Sequence, residues 1–178
     1  MFFLSETNIG MHKEYLRELC LKLSIFEKTY PDLVDKDLVG ILKSGIPKNE
    51  KEEAALLKAD IISHKVFFDS FDSRSGVCEA IRHKWGSEAS FLHSLYEKCV
   101  SSNGFLFIYR NKGGIGYYIG DNYRTELLKH IPILAVDLFE HSYFYDYGFN
   151  KRGYIQKALS NLNLSKLNIT KSIEKSEK

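Results

Sequence analysis

The sequence predicts an α+β fold, in which a long N-terminal helical hairpin precedes a C-terminal domain with a three-stranded antiparallel sheet and flanking helices. Before position 70, apolar residues recur at three- and four-residue steps, which is typical of helices. After Gly104 the pattern changes to short runs of branched and aromatic residues, which favour strands. Helical and strand segments follow one another instead of alternating, and this order indicates an α+β organisation.

Cap residues and periodicity predict the two helices of the hairpin. The first is expected from a cap at Ser5 to about Lys28, because apolar residues line one of its faces. The second is expected from Asn49 to Ser70, and its acidic start suits the positive end of a helix dipole. Glycine and proline interrupt residues 31–49, so this segment is predicted to be a loop with one helical turn.

The polar, turn-rich stretch 70–76 predicts a boundary between two domains, 1–72 and 73–178. Helices are expected after it at about 77–84 and 87–100, where apolar residues again have helical spacing. The chain is long enough for the two halves to share one core.

Three strands are predicted in the C-terminal domain. Residues 104–110 and 115–119 read as a hairpin around a turn at 111–114. The run Pro132–Asp137 is apolar enough to be the central strand of the sheet. Residues 140–176 return to helix and end in a polar tail.

Charge and cysteine content argue against several classes of protein. Basic residues number 25 and acidic residues 23, so the net charge of +2 gives no basic surface of the kind that binds nucleic acid. Three cysteines without a close pair predict neither a disulfide framework nor a cysteine metal clip. No run approaches the ~20 apolar residues of a membrane span, and the start lacks the features of a signal peptide. We therefore expect a cytoplasmic protein, with an organelle matrix as the alternative.

The segment Asp137–Tyr147 carries the strongest chemical signal. Asp137 ends an apolar run, and His141 follows four residues later, where one helical turn would bring its ring back toward the carboxylate. A carboxylate beside an imidazole suits iron or manganese. Taken alone, this spacing is also explained by a surface aspartate and a helix-capping histidine. A single histidine among apolar residues, such as His64, is likewise explained as a core residue.

This segment resembles the C-terminal signature of the iron/manganese superoxide dismutases, D-x-W-E-H-x-Y-Y followed by D-Y and N-x-R-x-x-Y. The residues in step with that signature are Asp137, Glu140, His141, Tyr143, Asp146, Tyr147 and Tyr154, while Asn150 and Arg152 each fall one position late. The resemblance implies that Asp137 and His141 are metal ligands. It also implies that Glu140 reaches across a two-fold interface to the ligand histidine of a second subunit.

The family takes its other two ligands from the helical hairpin. The run from Asp60 to Phe68 resembles the family's Asn-His followed by aromatic residues, which implies that His64 is the ligand from the second helix. The ligand from the first helix depends on the register of the comparison, and two registers compete.

In one register Tyr15 matches the family's active-site tyrosine, and Thr7 or Asn8 then stands where a histidine ligand should be. In the other, the helix start from Leu4 onward matches without a gap, and His12 stands at the ligand position. The second register keeps four ligands and a helix cap, and we favour it for that reason.

Several residues around the predicted ligands depart from the family pattern. Phe139 stands where the family has a tryptophan, and Phe105 lies in a segment that contains tryptophans in the family. Cys20 stands where the family has a tyrosine, two turns after the first ligand. Asp60 and Ser101 occupy the two positions from which members supply a glutamine. Groups beside the ligands tune a metal and its bound water. An ionised Asp60 would favour bound water over hydroxide, and therefore the reduced metal.

The resemblance implies a superoxide dismutase with one iron or manganese ion per chain, which converts superoxide to oxygen and hydrogen peroxide as a homodimer. One alternative is a non-catalytic protein of the same fold that acts as a structural or interaction subunit, for example of a mitochondrial ribosome. Another is a different redox or sensing role with Cys20 as a reactive thiol. The histidines not expected to bind metal are His83, His93 and His130.

Overall fold

The computed structural model describes residues 3–71 and 78–168. The predicted domain boundary at 72/73 and the polar tail at 171–178 lie outside the described residues. Within them the predicted α+β class is confirmed, because two long helices precede shorter helices and a three-stranded antiparallel sheet.

The helices follow the predicted order, with one additional short helix between the second and third strands. In the described ranges they are α1 (Glu6–Thr29), α2 (Leu38–Leu42), α3 (Lys48–Asp69), α4 (Glu79–Trp85), α5 (Glu88–Val100), α6 (Tyr123–Lys129), α7 (Glu140–Tyr147) and α8 (Lys151–Ser160). The Ser5 hydroxyl caps α1 by accepting the Asn8 N–H at 3.2 Å. Between α1 and α3, α2 supplies the single helical turn that was expected, and a 3-10 turn at Pro31–Leu33 precedes it.

The sheet contains β1 (Phe105–Asn111), β2 (Gly114–Gly120) and β3 (Pro132–Asp137) in the order β2-β1-β3. The prediction that Pro132–Asp137 is the central strand is wrong, since β1 lies in the centre and pairs with both neighbours. β3 is nevertheless apolar because α3 packs against it. Its Ala135 N–H also donates to the Ser70 hydroxyl at 2.7 Å, just beyond the end of α3.

Helix α6 connects β2 to β3 and was not predicted. It has only seven residues, and its N-cap residue Asn122 makes no capping hydrogen bond, so its local signals are weak. Tyr123 and Leu127 are its buried residues, and their four-residue spacing is the helical feature of this short segment. α6 therefore owes its conformation to packing on the rest of the fold.

Two sets of buried hydrogen bonds join the hairpin and the C-terminal helices to the end of β3. Asn8 on α1 donates to the Ser142 carbonyl and to the Asp146 carboxylate, at 3.1 Å in both cases. The hydroxyl of the fully buried Tyr154 on α8 donates to the Asp137 carbonyl at 2.6 Å. These bonds fix α1, α7 and α8 around Asp137. None of the described helices has the length and apolar content that a membrane span requires.

Candidate metal centre

The four side chains predicted as metal ligands come together from four different elements. His12 lies on α1, His64 on α3, Asp137 at the end of β3 and His141 in the first turn of α7. His12, Asp137 and His141 each offer a ligand atom within 4.8 Å of the other two. His64 Nε2 lies 3.9 Å from Asp137 Oδ2, and His141 Nε2 lies 3.0 Å from the same oxygen. The group is therefore compact enough to surround a single cation.

The two histidines of the hairpin are oriented by their own helices. His12 Nδ1 lies 3.1 Å from the Asn8 carbonyl, and His64 Nδ1 lies 2.8 Å from the Asp60 carbonyl, each four residues earlier in the chain. A carbonyl only accepts, so Nδ1 carries the proton in both rings and Nε2 keeps a free lone pair. Anchoring one ring nitrogen in this way is typical of metal-binding histidines.

Three buried atoms of this group have no hydrogen-bond partner among the described residues: His12 Nε2, His64 Nε2 and Asp137 Oδ2. Buried polar atoms are nearly always paired, because an unpaired one loses its hydration without compensation. All three are electron-pair donors, and Asp137 Oδ2 approaches His64 and His141. A cation held by the four side chains would satisfy these atoms, so the donor set fits iron or manganese.

The Asp137 side chain is held firmly in one orientation. The side-chain Oδ1 accepts the Phe139 N–H at 2.9 Å. The backbone carbonyl of Asp137 accepts the Ser142 and Tyr154 hydroxyls at 3.0 and 2.6 Å, which fixes the backbone at this point. The residue is completely buried. These contacts direct Oδ2 toward the imidazoles.

Burial and charge act differently on the histidines. Burial lowers the pKa of His12, which favours the neutral ring that a metal requires. Burial also opposes charging of His141, but the Asp137 carboxylate outweighs it, so the net effect raises the pKa of His141. The half-exposed His141 therefore tends to hold a proton against Asp137 until a cation competes for that site.

A cleft of about 240 Å³ opens onto His64 and His141. Phe105 contacts the His64 ring, with 5.7 Å between centroids, and Phe139 stacks on His141 at the same separation. Both residues were predicted to lie beside the ligands, and in the structure both form apolar walls of the cleft. The lining residues are Tyr15, Asp60, His64, Phe105, Tyr123, Arg124, Phe139 and His141.

Comparison with known proteins decides the family. A family model described as the C-terminal domain of iron/manganese superoxide dismutases matches residues 73–170, more than half of the chain. The chain belongs to the iron/manganese superoxide dismutase family.

Individual members of this family are distant relatives of the chain. An iron superoxide dismutase of Pseudoalteromonas translucida is 33% identical over 100 residues, a match that spans 50% of this chain and 52% of that protein. A manganese/iron superoxide dismutase of Rickettsia typhi is 25% identical over 169 residues, or 90% of this chain and 80% of that protein. An iron superoxide dismutase of Cupriavidus metallidurans is 30% identical over 122 residues, or 63% of this chain and 61% of that protein. The chain is thus a divergent member of its family.

Asp60, which was expected to be an ionised acceptor that favours metal-bound water, has hydrogen-bond partners on α6. Its Oδ1 accepts hydrogen bonds from the Tyr123 hydroxyl and from Arg124 Nη2, the latter at 3.5 Å. Burial and the Asp60 carboxylate raise the pKa of Tyr123, so its hydroxyl keeps the proton that it donates. One oxygen of Asp60 is therefore committed to α6. Its backbone carbonyl meanwhile orients His64.

The expectation that Cys20 lies beside the ligands is not met. Cys20 is exposed and does not line the cleft, because the eight residues that separate it from His12 correspond to about 12 Å along a helix. Tyr15 lines the cleft instead, with its ring centroid 5.2 Å from that of His64. The sequence comparison used Tyr15 only to anchor the competing register.

Glu140 and the three histidines not expected to bind metal do not line the cleft. Glu140 is exposed at the start of α7. His83 and His93 are exposed, and His130 stacks on Tyr109 with 4.0 Å between centroids. Tyr123 and Arg124, which line the cleft, were not singled out, because no motif marks the segment between β2 and β3.

Asp137→Asn should change the stability of the metal-free and metal-loaded proteins in opposite directions. The substitution removes a buried negative charge whose Oδ2 has the His141 ring nitrogen 3.0 Å away, but it keeps the oxygen that accepts the Phe139 N–H. At alkaline pH, where His141 has lost its proton and no longer balances the carboxylate, we expect metal-free protein to gain about 1 kcal/mol in free energy of unfolding. Metal affinity should fall about 100-fold, since a charged ligand becomes a weak neutral one.

Urea unfolding with and without added iron or manganese measures both effects. Asp121→Asn, which removes a carboxylate from an exposed turn, is the matched control and should leave both forms unchanged. A midpoint that moves in the same direction with and without metal would contradict the assignment of Asp137 Oδ2 as a metal-binding atom.

Proposed function

We propose that this chain is a superoxide dismutase that holds one iron or manganese ion between His12, His64, Asp137 and His141. The observation that carries this proposal is the convergence of three buried, unpaired donor atoms with His141 Nε2 around one point. Membership of the iron/manganese superoxide dismutase family supports it independently.

In this proposal the protein's own residues hold the ion, exclude water and admit the substrate. The ion would supply the one-electron exchange by which two superoxide ions and two protons become oxygen and hydrogen peroxide. Anchored Nδ1–H groups keep the His12 and His64 rings directed at the ion. Phe105 and Phe139 keep water from the ligands on the cleft side, and the cleft leaves an open approach for a small anion.

We also propose that the active form is a homodimer in which Glu140 faces the second copy. Glu140 is exposed and adjoins His141. On the same helix Phe144 is 48% exposed and packs on Phe149, which is 94% exposed. Such apolar exposure favours association. Sedimentation velocity should give twice the chain mass for the natural protein and a shift toward monomer for Phe149→Ser, whereas a monomeric natural protein would refute the dimer.

Metal content and superoxide removal, measured on the same preparation, test the proposed activity. We expect close to one iron or manganese ion per chain and a superoxide decay that is faster than in the metal-stripped protein. The engagement of Asp60 by Tyr123 and Arg124 favours one rival function, a structural member of the family without catalysis. Folded protein that binds no metal and leaves superoxide decay unchanged would refute the proposed activity and favour that rival.

A further inference from the structure

Helix α6 places a positive charge at the mouth of the cleft. Arg124, the second residue of α6, lines the cleft and has a side chain that is 45% exposed. Among the described residues that line the cleft, Arg124 is the one whose side chain is positively charged at any ordinary pH. It is separate from the four proposed ligands and from the signature segment Asp137–Tyr147.

Two contacts hold the guanidinium in place. Arg124 Nη2 lies 3.5 Å from Asp60 Oδ1, and Arg124 Cζ lies 5.3 Å from the centre of the Tyr123 ring. The Tyr123 hydroxyl donates to the same oxygen of Asp60. Asp60 is mostly buried, with a side chain that is 14% exposed, so it is a firm anchor. The guanidinium is thus fixed at one edge and open to solvent at the other.

The remaining donors of the guanidinium are available to a ligand. Arginine has five N–H donors in a planar fork, and the structure engages Nη2 with Asp60. A small anion in the cleft would be close to this fork, because Arg124 lines the same cleft as His64 and His141 and its side chain is 45% exposed. Arg124 can therefore contribute both attraction and directed hydrogen bonds.

We propose that Arg124 is the group that binds small anions at the entrance to the metal centre, and that Asp60 is a positioning residue that holds it there. This inference rests on the proposed function, because the anion in question is one on its way to the bound ion. Asp60 also sets the strength of the attraction, since its charge opposes that of Arg124. Removing the charge of Arg124 should therefore lower anion affinity, and removing the charge of Asp60 should raise it.

Azide, a small anion that can be followed by absorbance, is the probe for metal-loaded protein. Arg124→Gln should weaken azide binding about three- to tenfold, because one unit charge near the site is lost. Asp60→Asn should tighten it about twofold or more, because the Asn oxygen still accepts from Tyr123 and Arg124 and keeps Arg124 in place, while the opposing charge disappears. Arg124→Lys, which keeps the charge without the fork, should fall between the natural protein and Arg124→Gln.

Lys129→Gln is the matched control. It removes the same charge from the same helix, but Lys129 pairs with Glu126 and does not line the cleft. Its azide affinity should equal that of the natural protein. Circular dichroism would verify that each variant is folded, and Arg124→Met, which keeps an unbranched stem, replaces Arg124→Gln if that variant unfolds.

The outcomes separate the two proposals. Equal azide affinities for the neutral Arg124 variant and Lys129→Gln would overturn the role of Arg124, even in a protein that removes superoxide. The expected azide pattern in metal-loaded protein that leaves superoxide untouched would refute only the proposed activity. Natural protein that takes up neither iron nor manganese would overturn both.

Discussion

His12→Ala should reduce iron or manganese affinity by at least about 100-fold, because removing even a residue that only supports a ligand costs 10- to 100-fold. His12 is 3% exposed, and its unpaired Nε2 belongs to the group that includes Asp137 and His141. Metal per chain after dialysis against a weak chelator measures the loss.

His83→Ala is the control for this experiment, because it removes an exposed histidine from α4 and should leave metal content unchanged. His12→Gln preserves more of the side-chain volume beside Phe67, on which the ring stacks at 5.9 Å. It therefore distinguishes loss of a ligand from loss of packing. Retention of one ion per chain by both His12 variants would exclude His12 as a ligand and reopen the register in which Thr7 or Asn8 stands at that position.

The elements that could be predicted are those whose signals are local. An acidic start and apolar periodicity place α3 within one residue at each end, at Lys48–Asp69. β3 was assigned its observed bounds, Pro132–Asp137, but the wrong place in the sheet. An apolar run reports that a strand is buried on its faces. It does not report which strand lies beside it.

Some features of the candidate site could likewise be predicted from local sequence, and others could not. The spacing of Asp137 and His141 is a local property, so it could be recognised in the sequence. The partners of Asp60 could not, because Tyr123 and Arg124 lie 63 and 64 residues away on a helix that packing stabilises. From the sequence alone, Asp60 was expected to be an ionised acceptor that favours metal-bound water, with no partner of its own identified. The charge at the entrance to the cleft is therefore a property of the tertiary structure.

Gly104 is the backbone position at which we expect the largest loss of stability from a single methyl group. Gly104 has φ +95°, a conformation that favours glycine. A Cβ there would lie 1.9 Å from the Gly120 carbonyl oxygen and 2.5 Å from the Asp121 Cα. Both obstacles are backbone atoms, so no side-chain rotation relieves the clash. Gly104→Ala should therefore lower the free energy of unfolding by roughly 3–5 kcal/mol, from strained φ and overpacking together.

Gly10→Ala provides the opposite result on α1, where a Cβ meets nothing within 4 Å. Alanine is the better helix former, so this variant should gain about 0.5–1 kcal/mol. Urea unfolding of the metal-free proteins compares the two substitutions without any contribution from ligand binding. A Gly104→Ala protein as stable as Gly10→Ala would mean that β1 and the end of β2 do not approach each other as closely as described.

The substitution Gly104→Ala should also weaken metal binding. The Gly104 carbonyl accepts the Leu138 N–H at 2.8 Å, and the next residue, Phe105, pairs with Asp137 across the sheet. A shift of Gly104 away from Gly120 therefore moves the backbone that directs the Asp137 carboxylate at the histidines. We expect Gly104→Ala to bind iron or manganese more weakly even where it remains folded, whereas Gly10→Ala should bind as tightly as the natural protein. Weaker binding in the first variant alone would show that the tight backbone turn beside β2 holds the ligand geometry, and equal binding in both would show that Asp137 is positioned independently of it.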